Sequence, residues 1–183
     1  QGKVIYVGMS NYAAWQVCRA QWLCQLRRWS PPVVVQLPYN LITRGVDEEC
    51  AEFTDQMQIS VTAYNPLAGG LLTGKHTRQA DPAKGTRFAI NKNYYGRFWH
   101  DSNFAALEEL SRIADDAGRN LTELALQFLL SRDLVDSVII GASRLEHLEQ
   151  NLQAAEGRLD EATLDACDDV WQRLRGDHFR YNR

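Results

Sequence analysis

The clearest chemical signal in this sequence follows a short apolar run near its end. Residues 138–140 are apolar and β-branched with little alternation, which predicts a strand covered on both faces. The run leads through Gly141 to Ser143 and Glu146, a capping-box spacing that predicts a helix beginning at Ser143 or Arg144. The first turn of such a helix presents free N–H groups that suit a phosphate. The segment therefore predicts a site for a phosphorylated cofactor.

Taken alone, the same motif also fits a plain cap at Ser143, a turn at Gly141 and a solvated charge at Arg144. The other predicted strands favour a site, because each ends in polar or glycine residues. These residues are Ser10 and Asn11, then Gln36, then Tyr64 and Asn65. A β/α barrel has this distribution, since its site is built at the C-terminal face from several strand ends, with phosphate near the last strands.

The elements that would position these residues alternate along the chain. Hydrophobic periodicity predicts strands at 4–7, 33–35, 59–63 and 138–140, and helices at 12–29, 47–57, 104–117, 121–131, 144–155 and 160–174. A long polar loop is predicted at 69–101. Strands that are each followed by a helix predict a parallel sheet with right-handed crossovers. This leaves a barrel or an open doubly wound sheet, and the absence of GxGxxG after a strand favours four βα units of a barrel.

Composition sets limits on the class of protein. The 183 residues are 45% hydrophobic and 23% charged, which is enough for one globular domain with a sizeable core. The net charge of −3 gives no general basic field, so we expect no nucleic-acid partner. No apolar run approaches membrane-spanning length, so we expect no membrane partner either. The four cysteines lack metal-ligand spacing, which predicts free thiols in a reducing cytoplasm.

Four ordered segments carry a resemblance to a known family. They are GKVIYVGMSN (2–11), VVVQLPYN (33–40), TAYNPLAGGLLTGK (62–75) and VIIGASRLEHLEQN (138–151). Together they resemble the second half of an aldo/keto reductase, in the group with aryl-alcohol dehydrogenase-like enzymes and potassium-channel β subunits. The resemblance implies an α/β chain that is the C-terminal half, strands five to eight, of a parallel TIM barrel. Residues 1–183 would form a single partial barrel domain.

The resemblance also implies which residues hold the cofactor, NADP(H). Ser10, Asn11 and Gln36 would hydrogen-bond the nicotinamide carboxamide, and Tyr64 would stack on the nicotinamide ring. The pyrophosphate would lie along residues 65–69 and under the long loop, with Asn65, Pro66, Leu67, Ala68, Gly69, Leu72, Gly74, Lys75 and Arg87. The adenosine end would lie against Gly141, Ser143, Arg144, His147, Gln150 and Asn151. Arg144 beside a ribose 2′-phosphate would favour NADP over NAD.

Each of these residues also has a plain structural explanation. Asn11 could begin a helix, Gln36 could satisfy backbone groups, and Tyr64 could belong to the core. The charges of Lys75 and Arg87 could simply be solvated, as loop charges usually are. The residues are predicted as a set because they occur in the family's order.

The catalytic group of the family is not matched. Aldo/keto reductases use a Tyr acid tuned by a Lys and an Asp, with a His at the substrate oxygen, and all four come from the first four βα units. Lys92, Tyr94 and Tyr95 are close in sequence but belong to the long loop, so we assign no catalytic residue. A barrel takes about 250 residues, and this sequence starts without Met at the fifth unit. We therefore expect a chain without its N-terminal half, inactive by itself.

Three functions remain at this stage. The first is the cofactor-binding half of an NADP(H)-dependent aldo/keto reductase, an oxidoreductase that reduces small aldehydes or ketones to alcohols by hydride transfer. The second is a non-catalytic NADP(H)-binding or regulatory module related to the channel β subunits. The third is a different barrel enzyme that acts on phosphorylated substrates. The two outer strands would present unpaired edges, which would allow a homo-oligomer.

Overall fold

The computed structural model describes residues 2–176, and these residues form one parallel sheet flanked by helices. The strands are β1 (Gly8–Ser10), β2 (Val34–Pro38), β3 (Ser60–Tyr64) and β4 (Ser137–Ile139). The helices are α1 (Ala14–Arg27), α2 (Val46–Gln56), α3 (Arg87–Ile90), α4 (Lys92–Phe98), α5 (Asp101–Asp116), α6 (Leu121–Leu130), α7 (Leu145–Ala154) and α8 (Glu161–Arg175). A 3-10 helix, Ala68–Thr73, follows β3. The prediction of alternating strands and helices is confirmed.

The order of the strands decides between the two predicted sheet types. Within the described residues the order is β1-β2-β3-β4, and every neighbouring pair is parallel. A doubly wound sheet reverses its strand order at a switch point, whereas a barrel places each strand beside its predecessor. The sequential order is that of a barrel, so the prediction of part of a parallel β/α barrel is confirmed.

The two faces of the sheet differ in burial. Val35 and Leu37 of β2, with Val61 and Ala63 of β3, are buried in the core formed with the helices. The residues between them are only half-buried or exposed. Because successive side chains of a strand point to opposite faces, Gln36 of β2 shares the face that carries no helix with Thr62 and Tyr64 of β3. In a barrel this face lines the interior, and the site is built at its C-terminal end.

Helices α5, α6 and α8 supply most of the other side of the core. Leu110 of α5, together with Leu124, Phe128 and Leu129 of α6, is fully buried. Burial of each such side chain stabilises the fold by about 1.5–3 kcal/mol. Asn120 begins α6 with a complete capping box, in which its side chain accepts from the backbone N–H of Glu123.

The first strand differs from its prediction. Residues 4–7 are not a strand, and Val4 and Ile5 are 70% and 81% exposed. The strand begins at Gly8, where a Cβ atom would lie 2.7 Å from Cγ1 of Val34. Gly8 is therefore a close-packing position inside the sheet, and the predicted bounds of 4–7 for this strand were wrong. Gln36 likewise lies inside β2, opposite Ser10, because β2 continues to Pro38.

The last strand and its helix also differ from the prediction. Strand β4 pairs only with β3 and leaves Ile139 43% exposed, so it is not covered on both faces. Helix α7 begins at Leu145, with Arg144 as its N-cap in extended conformation and without a side-chain cap bond. Ser143 lies one residue too far from the helix to close a capping box, so that prediction was wrong. The predicted loop 69–101 contains the 3-10 helix as well as α3 and α4.

Candidate functional site

Four residues from three strand ends meet on the helix-free face of the sheet. Ser10 and Gln36 are register partners, and the Ser10 hydroxyl donates to the Gln36 carbonyl oxygen at 3.0 Å. The backbone N–H of Asn11 donates to the same oxygen at 3.2 Å. The Tyr64 hydroxyl donates to Oδ1 of Asn11 at 3.0 Å. The structure thus brings together the four residues predicted for the nicotinamide.

The two asparagines that follow β1 and β3 turn the chain sharply. Asn11 has φ 60° and Asn65 has φ 62°, the left-handed region that Asn tolerates better than most residues. Non-glycine residues in this region cost free energy, and they concentrate at functional sites. Tyr64 occupies Oδ1 of Asn11, and no hydrogen bond of Asn11 Nδ2 occurs within residues 2–176. This donor is therefore the group of Asn11 that a carboxamide oxygen could use.

The segment after β3, residues 65–74, is called here the glycine loop. Oδ1 of Asn65 accepts from the backbone N–H of Gly69 at 2.8 Å, whereas Nδ2 of Asn65 is buried without a partner among the described residues. Gly69 and Gly70 have φ 71° and 105°, conformations that side chains disfavour. Their own N–H groups are used within the loop, that of Gly70 by the Leu67 carbonyl. The N–H groups of these two glycines are therefore not free to bind an anion.

Three cations surround this loop. The Lys75 ammonium lies against Gly70, 3.6 Å from where a Cβ atom of Gly70 would stand. The guanidinium groups of Arg87 and Arg97 lie 5.1 and 5.9 Å from the ring centroid of Tyr94. Within residues 2–176 none of the three forms an ion pair with a carboxylate. The sequence analysis predicted Lys75 and Arg87 but missed Arg97, which a helical i, i+3 spacing from Tyr94 could have indicated.

Aromatic packing holds the segment that carries these cations. His76 makes edge contacts with Phe88 and Trp99, with ring centroids 5.1 and 5.3 Å apart. Burial, and then the neighbouring Lys75 charge, lower the pKa of His76, so the neutral ring is favoured. Trp99 also packs edge-on against Phe104 at the start of α5. These rings fix residues 75–99 next to the glycine loop.

The residues predicted for the adenosine end lie along the next strand end. Ile139 is the register partner of Tyr64, so Gly141 lies just beyond the nicotinamide cluster along β4. The predicted residues on this stretch that are exposed to solvent are Gly141, Ser143, Arg144, His147 and Gln150. Asn151 is 6% exposed and lies in α7, which packs on α6. No hydrogen bond within the described residues joins this group to the nicotinamide cluster.

Two clefts of the described chain lie elsewhere. One, of about 460 Å³, is lined by Arg44, Asp168 and Trp171 from the helical layer. The other, of about 410 Å³, includes Ile59 and Asp136 at the N-terminal ends of β3 and β4. Neither contains a residue predicted for the cofactor. The candidate site lies outside both clefts, at the C-terminal ends of the strands.

A buried charged network lies below the first cleft, and the sequence analysis missed it. Arg44, 3% exposed, binds Asp47 at 2.9 Å and Asp168 at 2.7 Å. The Tyr39 hydroxyl donates to Asp47 at 2.6 Å. Burial, and then the Asp47 charge, raise the pKa of Tyr39 far above its ordinary value. Since Tyr39 is 0% exposed, it cannot donate a proton to a substrate.

Metal and thiol chemistry find little support in the described part of the chain. No group of three or more His, Cys, Asp or Glu side chains there could hold a metal ion. All four cysteines are free thiols, and burial raises the pKa of Cys167 to about 12. No helix among these residues is long and apolar enough to span a bilayer.

Comparison with known proteins gives consistent matches. The model of the aldo/keto reductase family matches residues 1–172. Aflatoxin B1 aldehyde reductase member 2 of Mus musculus is 37% identical over 186 aligned positions, covering 93% of this chain and 51% of the relative. Aldo-keto reductase family 7 member A3 of Homo sapiens is 38% identical, covering 93% and 56%.

A bacterial relative gives a similar match. L-glyceraldehyde 3-phosphate reductase of Escherichia coli K12 is 33% identical over 186 positions, covering 93% of this chain and 53% of the relative. The chain spans about half the length of the curated relatives it matches.

Proposed function

Because this chain belongs to the aldo/keto reductase family, we propose that it is the cofactor-binding half of an NADP(H)-dependent reductase of aldehydes or ketones. One observation carries the proposal: Ser10, Asn11, Gln36 and Tyr64 form one hydrogen-bonded cluster at the C-terminal ends of three strands. The names of the relatives describe those proteins as aldehyde reductases and a glyceraldehyde-phosphate reductase. They support a small carbonyl substrate for this chain.

The nicotinamide end suits the cluster chemically. A carboxamide has a donor and an acceptor, and Asn11 Nδ2 with the Gln36 amide offers both kinds of partner. The Ser10 hydroxyl, anchored on the Gln36 carbonyl, adds an acceptor. Tyr64, held by its bond to Asn11, supplies a flat ring beside them. When bound, the cofactor supplies the hydride, and these residues orient the ring that carries it.

The phosphate end suits the cations. Lys75 lies against Gly70, Arg87 and Arg97 lie over Tyr94, which packs on Gly69, and the buried Nδ2 of Asn65 has no partner among the described residues. An unpaired buried donor costs about 1–3 kcal/mol, which a bound acceptor would recover. Further along, Arg144 is exposed at the start of α7, where its charge would favour a 2′-phosphate. The donor set therefore fits NADP(H).

Catalysis is assigned outside this chain. Tyr39, which bonds Asp47 beside Arg44, is fully buried. Its pKa is raised, and a general acid near neutral pH needs a lowered one. We propose that the acid and its partners belong to four βα units preceding these residues, so that residues 1–183 form one partial barrel domain. The free thiols support a reducing, cytoplasmic location.

A second candidate is an NADP(H)-binding or regulatory module without catalysis. It is supported by the same cluster of cofactor residues together with the lack of an assigned acid. Reductase activity of the protein with its preceding units present would exclude it. Retained NADPH binding without activity in that longer protein would favour it.

We expect Gly69→Ala to weaken NADPH binding about tenfold or more. A Cβ atom at this position would lie 2.7 Å from Cδ1 of Tyr94, and the φ of 71° disfavours any side chain, at a cost of about 1–2 kcal/mol. The displaced Tyr94 ring would carry Arg87 and Arg97 away from the loop. The measurement is titration of the purified chain with NADPH, followed by intrinsic fluorescence.

Gly118→Ala is the matched control for this titration. Gly118 has φ 66°, but no atom lies within 4 Å of its added Cβ, so the variant shares the backbone strain without the displacement. It should lose similar stability and bind NADPH like wild type. A wild-type chain that does not bind NADPH would contradict the proposed function. Equal affinity of all three proteins would contradict the phosphate site.

A further inference from the structure

Asn40, two residues after β2, is a buried side chain with hydrogen bonds from both its amide oxygen and its amide nitrogen. It is 0% exposed. Its Nδ2 donates to the Asn65 carbonyl oxygen at 3.0 Å, and its Oδ1 accepts from the Ile42 N–H at 3.1 Å. Its backbone N–H and carbonyl both pair with Thr43. These four hydrogen bonds hold the side chain and the backbone of Asn40 in one position.

The bond to Asn65 reaches the most strained part of the chain. Asn65 has φ 62° and Ala68 has φ 48°, and the two glycines that follow also have positive φ. Such conformations persist only where surrounding contacts over-determine them. Asn40 holds the main chain of Asn65, and Asn65 Oδ1 in turn holds the N–H of Gly69 at 2.8 Å. The turn after β2, residues 39–43, is called here the β2 turn. Hydrogen bonds thus run continuously from the β2 turn to the glycine loop.

The β2 turn that carries Asn40 is itself rigidly anchored. The neighbouring Tyr39 donates to Asp47, which also binds Arg44. Arg44 continues to Asp168 of α8. A buried network that is fully satisfied in this way rigidifies the backbone to which it is attached. Asn40 is therefore presented to Asn65 from a fixed support.

We propose that Asn40 is a positioning residue for the glycine loop: it does not touch the cofactor, but it sets the Asn65 conformation that leaves Nδ2 of Asn65 and Lys75 facing the phosphates. The expected effect of Asn40 on NADPH binding rests on the proposed function. Its expected effect on the conformation of the glycine loop rests on the hydrogen bonds alone. Ser10 and Gln36 of the nicotinamide cluster form no hydrogen bond with Asn40 within the described residues. A substitution of Asn40 should therefore leave their geometry unchanged.

The test combines hydrogen exchange with ligand binding. In Asn40→Ala, we expect the Gly69 amide to exchange about tenfold faster than in wild type without any ligand, because one net hydrogen bond corresponds to roughly that factor. NADPH affinity should fall by a similar factor. Gln127→Ala is the matched control, since Gln127 is another buried amide that donates to a backbone carbonyl, that of Ala154 at 3.0 Å. It should leave Gly69 exchange and NADPH affinity unchanged.

The outcomes separate this proposal from the proposed function. Faster Gly69 exchange only in Asn40→Ala supports the positioning role, even if the wild-type chain binds no NADPH. Unchanged Gly69 exchange overturns it, even if NADPH binds. Equal acceleration in the control also overturns it, since the effect is then general loss of stability. If Asn40→Ala does not fold, the exchange rate of the side-chain N–H protons of Asn40 is measured in the wild-type chain instead. These protons should exchange slowly because Nδ2 donates to the Asn65 carbonyl oxygen. Exchange as fast as in free solvent would overturn the proposal.

Discussion

We expect Arg144→Ala to weaken NADPH binding about 10- to 100-fold while leaving NADH binding nearly unchanged. The two cofactors differ only at the ribose 2′ position, where NADPH carries a phosphate. A hydrogen bond to a charged group contributes about 1.5–3 kcal/mol, which sets the size of the expected loss. Arg144 is exposed at the N-cap of the ten-residue helix α7 and forms no ion pair within residues 2–176.

The comparison is made by titrating wild type and variant with both cofactors at one fixed ionic strength. Arg112→Ala is the control, because Arg112 is an exposed arginine on α5 and its loss changes the net charge equally. This control should retain the wild-type ratio of NADPH to NADH affinity. Equal weakening of both cofactors in Arg144→Ala would contradict a contact to the 2′-phosphate.

We expect Arg44→Leu to lower the free energy of unfolding by about 3 kcal/mol. Arg44 is 3% exposed and pairs with Asp47 and Asp168, whose side chains are 20% and 35% exposed. Asp168 keeps a second ion pair with Arg132, so Asp47 is the carboxylate that loses its compensating charge. Removing one partner of a buried pair typically costs about 3–5 kcal/mol, because the other charge is left without compensation. The partial exposure of both carboxylates reduces that figure here. The lost stacking of the guanidinium on Phe128, 4.9 Å from its centroid, adds to the cost.

Urea unfolding of wild type and variant measures this loss of free energy. We expect the m-value to be the same in both proteins. Arg173→Leu is the control, since Arg173 also binds a carboxylate, that of Glu109, but the two side chains are 58% and 36% exposed. Exposed pairs contribute about 0–1 kcal/mol, so the control should change little. If Arg44→Leu costs no more than Arg173→Leu, the buried network is not a stabilising feature of this fold.

The sequence predicts the strand-end cluster well for a simple physical reason. The C-terminal ends of parallel strands lie at one edge of a sheet, so polar residues that end successive strands must come together. Ser10, Asn11, Gln36 and Tyr64 do so, although they span more than fifty positions of the chain. The helices with clear apolar periodicity, such as α5 and α6, were also found.

Features that depend on tertiary contact could not be predicted. Arg44 and Asp168 are 124 positions apart, and no local pattern pairs them. Gly8 resembles a turn residue until its contact with Val34 is known. Helices α3 and α4 have four and seven residues, which is too short for a periodic signal. The sequence left Ser143 and Arg144 as alternative starts of α7, and the structure makes Arg144 the N-cap.

Amide chemical-shift mapping shows directly whether the C-terminal strand ends of this chain hold NADP(H). Titration of the isotope-labelled chain with NADPH should shift the amides of Ser10, Gln36, Asn65 and Gly69 in a saturable way. The amides around Arg44 and Trp171, at the cleft in the helical layer, should remain unchanged. Saturable shifts confined to that cleft, or no saturable shift in a folded chain, would contradict the account.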